Sequence, residues 1–108
     1  MKLLGKKRIC DIVHEVWLAS KKEVPDLKEK DGFNSGCAMP WFGKIYVLEG
    51  TPPDLIPAVV RHESVHCMIY HSGLAFALRD VFKIKRYAEV EETIVQALTP
   101  WLEDSEDE

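Results

Sequence analysis

The sequence predicts an α+β domain, and three observations carry that prediction. Residues 37–48 form two apolar runs on either side of Gly43, the pattern of a β-hairpin. Residues 54–71 can run as a helix, with Asp54 as a start signal and Gly73 as a stop. From Ala88 to Leu98 apolar residues return at helical spacing shortly before Pro100. At 108 residues the chain has the size of one domain. Its body spans residues 1–102, and residues 103–108 form a separate acidic tail, read as a disordered, solvated end.

Composition narrows the function classes. Hydrophobic residues make up 46% and charged residues 30%, as in ordinary soluble domains. The net charge is −4, but five of the last six residues are acidic, so the body itself is close to neutral. No basic stripe argues for nucleic acid. Cys10, Cys37 and Cys67 are odd in number and far apart, which suits neither a disulfide framework nor a C-x-x-C zinc site. A reducing cytoplasm fits such thiols. The basic start lacks a following apolar run with a cleavage site, and no stretch is long enough to span a membrane.

Each element follows from local pattern. Ile9, Ile12, Val13, Val16 and Trp17 fall at helical spacing, which predicts a helix over residues 7–20; their β-branched content makes a strand the alternative. His14, within this segment, reads as a surface or cap residue. Pro25 ends the element, because a proline disfavours helix at the residue before it. Residues 28–36, charged and then Gly- and Asn-bearing, read as loop. In the hairpin, Pro40 places the first strand at an edge or ends it. Residues 44–48 form the stronger strand, whose edge is a candidate to lie along a cleft and accept an extended peptide.

Residues 49–54 are turn chemistry. Asp54 is the expected N-cap of the next helix, and Pro57 is tolerated in its first turn. Residues 74–78 suggest a short helical or buried segment, and residues 83–87 are basic and expected at the surface. Trp101 and Leu102 are placed to dock the end of the last helix.

Within the helix of residues 54–71 lies His62-Glu63-Ser64-Val65-His66, an H-E-x-x-H sequence. With this chain's His and Glu content, such a match arises by chance in about one sequence in a hundred, so its context decides. Side chains four apart stack on one helix face, so both imidazoles can hold a single Zn²⁺. Glu63 sits beside the same point, placed to take a proton from an activated water.

Two histidines do not complete a zinc site; a catalytic one usually has three protein ligands and an open position. His71 is five residues after His66 and turns off the His62/His66 face. It is also one residue short of the H-E-x-x-H-x-x-G-x-x-H spacing, with Ile69 where glycine would stand. Cys67 turns away too, and is expected in the core. On the last helix, Val90, Ile94, Val95, Ala97, Leu98, Trp101 and Leu102 form one apolar arc at about 100° per residue. Glu91 falls inside that arc, where a carboxylate is costly unless paired or metal-bound. Glu91 is therefore the candidate third ligand. Glu92 is the alternative, one residue of helix phase away.

An H-E-x-x-H helix followed some two dozen residues later by a glutamate on a second helix resembles the gluzincin arrangement. With a hairpin before it and Glu91-Glu92-Thr93-Ile94-Val95-Gln96-Ala97-Leu98 after it, the chain resembles small zincin-like proteins of bacteriophages and other mobile elements. The resemblance covers residues 44–102. It implies a minimal metallopeptidase core acting on a peptide or protein substrate, with His62, His66 and Glu91 as zinc ligands and Glu63 as catalytic acid/base. Tyr70, His71 and Tyr87 are candidates to steady an oxyanion. The rival expectations are a zinc ion that only rivets two helices of a small domain, and an ordinary α+β domain without metal. Glu63 argues against the rivet, since a structural site has no use for an acid between its ligands.

Overall fold

The computed structural model describes residues 1–27, 36–73 and 84–99. The expected loop at 28–35, the segment at 74–78, the docking of Trp101 and Leu102, and the acidic tail lie outside these residues.

The N-terminal segment is the main correction to the sequence reading. Residues 7–20 form no helix; they belong to two antiparallel strands, β1 (Lys2–Ile9) and β2 (Ile12–Ala19). Ile9 pairs with Ile12 across a two-residue turn in which Cys10 and Asp11 have φ of 52° and 63°. Two left-handed residues give the hairpin turn whose twist matches the strands it joins. The pairs 12/13 and 16/17 mimic a helical period because neighbouring strand residues point to opposite faces and here both carry apolar side chains. Val16 is buried and faces one side of the sheet, while Trp17 faces the other.

β3 (Gly36–Met39) and β4 (Lys44–Leu48) form the expected hairpin around Gly43, whose φ is 65°. Pro40 ends β3 by opening a single 3₁₀ turn over Pro40–Phe42. β4 also pairs in parallel with β2, giving the strand order β1-β2-β4-β3. β4 is therefore an inner strand with a neighbour on both sides, and β3 holds the edge. The edge-strand role expected for residues 44–48 falls to β3 instead.

Both faces of the sheet are covered. On one, Ile9, Val16, Ile45 and Val47 pack with Cys67 and with Ile56, Val59 and Val60 of α1 (Ile56–His71). On the other, Ala19, Tyr46 and Leu48 are covered by Val24 and Leu27, from the segment after β2. α1 starts one residue later than the Asp54 cap predicts: Leu55 takes the N-cap position without a side-chain hydrogen bond. Pro57 lies in the first turn, and Gly73, at φ 80°, follows the last. α2 (Ile84–Leu98) begins four residues before the Ala88 start read from the sequence. It meets α1 through Val95, buried against Val65 and Ile69. No helix among the described residues is long and apolar enough to cross a membrane.

Candidate metal centre

The helix contact places the site. Val95 anchors α2 on α1. Glu91 and Glu92 precede Val95 by four and three residues, so both stand one turn before the anchor. On α1, His62 and His66 lie beside Val65 and Ile69 in helix rotation and one turn apart, ring centroids 5.2 Å from one another.

Glu92 reaches both histidines. Its Oε1 lies 2.9 Å from His62 Nε2, and its Oε2 lies 3.1 Å from His66 Nε2. Among the described residues, His62, His66 and Glu92 form a group able to hold a metal ion, with ligand atoms all within 4.8 Å of one another. Two imidazole nitrogens and one carboxylate oxygen are a donor set suited to a divalent metal such as zinc. Glu91 lies on the other side of His66, where Nδ1 donates to its Oε2 at 2.8 Å. The apolar arc placed Glu91 at this helix contact and put Glu92 on the opposite side, yet Glu92 reaches it too. The one-residue phase between them is resolved by the fold, with the alternative, Glu92, facing the paired Nε2 atoms.

Glu63 is buried beside the edge strand. A Cβ on residue 36 would fall 2.7 Å from Glu63 Cγ, 3.1 Å from its Oε2 and 2.7 Å from Val59 Cγ1. Only glycine lets β3 approach the helix this closely. Gly36 is thus a site residue that the sequence reading left in a loop. Its signal, a lone glycine at the start of a strand, is too common to single out.

The remaining candidates are tied up elsewhere. His71 Nε2 lies 2.9 Å from His14 Nε2, at the end of α1 that faces the sheet. His14 is fully buried rather than a surface residue, and its Nδ1 donates to the Ile12 carbonyl at 2.8 Å. Burial, followed by the charge of His14, holds the pKa of His71 below its usual value. The ring of Tyr70 packs between Trp41, tilted against it, and His71, edge-on; the Tyr87 side chain lies outside the described residues. Cys67 is fully buried, as expected. Burial and then the negative charge of Glu63 push its thiol up to about 12, which keeps it a protonated, inert core residue. Comparisons with known protein families, with curated proteins and with solved structures each find no match to this chain.

Proposed function

We propose that the chain is a zinc-dependent metallopeptidase in which His62, His66 and Glu92 hold the ion and Glu63 is the general base. The observation that supports this most is the convergence of both Nε2 atoms of the H-E-x-x-H motif on one carboxylate of a second helix. A divalent zinc ion bound there supplies Lewis-acid polarisation of a carbonyl and lowers the pKa of a water to about 7. Glu63 has the chemistry and the place for the proton: it follows His62 in sequence, and its carboxylate lies against the edge strand. It accepts a proton as a water attacks the scissile carbonyl and delivers that proton to the leaving amine. β3 supports a peptide substrate, because an edge strand offers backbone donors and acceptors to an extended chain.

A second reading has its own support. Among the described residues, the apolar contact between α1 and α2 is small, centred on Val65, Ile69 and Val95, so a metal joining the helices would add stability without catalysis. Zinc analysis of the purified protein, with Glu63→Gln compared to wild type on a peptide library, separates the readings. For a peptidase the variant keeps its zinc and loses cleavage by about 10²- to 10⁴-fold. Cleavage that survives the substitution removes Glu63 as the base, and a wild type that cuts nothing while zinc raises its melting temperature leaves only the structural role.

A further inference from the structure

His66 is held at both ring nitrogens, and this carries a step that rests on the zinc reading above. Glu91 and Glu92 are neighbours on α2 and leave the helix about 100° apart. Both nevertheless reach the same imidazole, one at each nitrogen: Glu91 at Nδ1, 2.8 Å, and Glu92 at Nε2, 3.1 Å. A carboxylate only accepts, so the shorter contact, to Glu91, puts a hydrogen on Nδ1, and the longer one, to Glu92, takes a second hydrogen from Nε2 as long as no ion is bound. A metal ion bound beside Glu92 would replace that second hydrogen and take the Nε2 lone pair, while Nδ1 keeps its hydrogen on Glu91. Glu91 is also the more enclosed of the two acids, with 21% of its side chain exposed against 37% for Glu92. Its charge is less screened there.

We propose that Glu91 is a positioning residue: by accepting the Nδ1 hydrogen of His66 it fixes the tautomer and ring orientation that present Nε2 to a metal ion. Two consequences follow. The ring is oriented before any ion arrives, so less ordering opposes binding. The negative charge of Glu91 also draws the Nδ1 hydrogen, making Nε2 a stronger donor. Together with Glu92 it matches the double charge of a divalent ion in a partly enclosed place.

The test uses the full chain and Zn²⁺ itself, with affinity read by competition against a chromophoric chelator. Glu91→Gln, which keeps an acceptor without the charge, is expected to weaken binding about 10-fold, and Glu91→Ala up to about 100-fold. Co²⁺ loaded in place of zinc reads the donor set directly. Both Glu91 variants should keep the wild-type visible absorption bands, while Glu92→Gln should shift them and weaken binding beyond the Glu91 variants. In the Co²⁺ protein, the shifted Nδ1–H proton resonance of His66 should exchange with solvent faster in Glu91→Ala. Unchanged affinity in both Glu91 variants overturns the proposal and leaves the zinc site standing. Altered cobalt bands in Glu91→Gln with unaltered bands in Glu92→Gln also overturn it, by making Glu91 the ligand. A wild-type chain that binds neither ion sinks the zinc reading itself.

Discussion

Helix α1 meets its neighbours through imidazoles at two places, and the company each keeps is different. Toward α2, His62 and His66 face carboxylates, with 30% and 20% of their side chains exposed. Toward the sheet, His71 faces a second imidazole, His14, which is fully buried with its other nitrogen committed to a backbone carbonyl. With both rings neutral, the His14 Nδ1–H goes to Ile12, so His14 Nε2 accepts from His71 Nε2–H. That contact is complete with one shared hydrogen and has no use for a cation. The contact toward α2 has negative charge to spare and suits one. The same side chain thus makes a strut at one end of the helix and a group able to hold a cation in its middle, and the partners decide which.

The comparison breaks most visibly if the strut is removed. His14→Ala leaves a buried cavity and strips His71 of its partner, at a cost of about 3 kcal/mol in a urea titration. Zinc affinity should stay within about twofold, because distant sites without shared partners add independently. A parallel loss of metal binding would show that strut and cation site are one unit.

Gly36→Ala probes the other side. The added Cβ meets Val59 and Glu63 side chains at 2.7 Å, so stability should fall by about 1–3 kcal/mol. Peptide cleavage should fall further than the melting temperature suggests, since Glu63 must move. Equal losses in folding and turnover would make Gly36 a packing residue only.

Acid probes the contact toward the sheet. The folded-state pKa of His71 is lowered from 6.5 by burial and by His14. Above pH 6.5 both folded and unfolded chains hold it neutral. Below that the unfolded chain takes the proton first, so stability drops as pH falls toward the folded value. Urea midpoints at pH 7 and pH 5.5 should show this drop, and His71→Gln should reduce it. An unchanged drop in the variant would assign the acid sensitivity elsewhere.

The smallest effect is a labelling order. Cys10 is exposed, while burial and then Glu63 push Cys37 and Cys67 up to about 11 and about 12. A thiol reagent should modify Cys10 first and Cys67 last. In His14→Ala, Cys67 should react sooner, reporting a loosened contact between α1 and the sheet.

Much of this was legible in local chemistry. Pro57 and Gly73 bracket α1 because one fits a first turn and the other a left-handed stop. Pro40 and Gly43 mark the β3–β4 hairpin for similar reasons, and the spacing of His62 and His66 alone puts two imidazoles on one face. The N-terminal hairpin was legible only as the strand alternative that its β-branched residues left open. Its turn, Cys10-Asp11, lacks the usual glycine, and β2 gains its parallel partner, β4, only from a segment beyond residue 43.

Short-range stereochemistry therefore determines where α1 and the β3–β4 hairpin lie and that a histidine pair exists. Long-range packing decides what that pair faces. One residue of α2 is about 100° of rotation, more than an apolar arc resolves, so only the seating of Val95 on Val65 and Ile69 directs Glu92 to the two Nε2 atoms and Glu91 to Nδ1. Only the approach of β3 to the helix makes Gly36 part of the site, because a contact between residues 27 positions apart leaves no periodic trace in either segment.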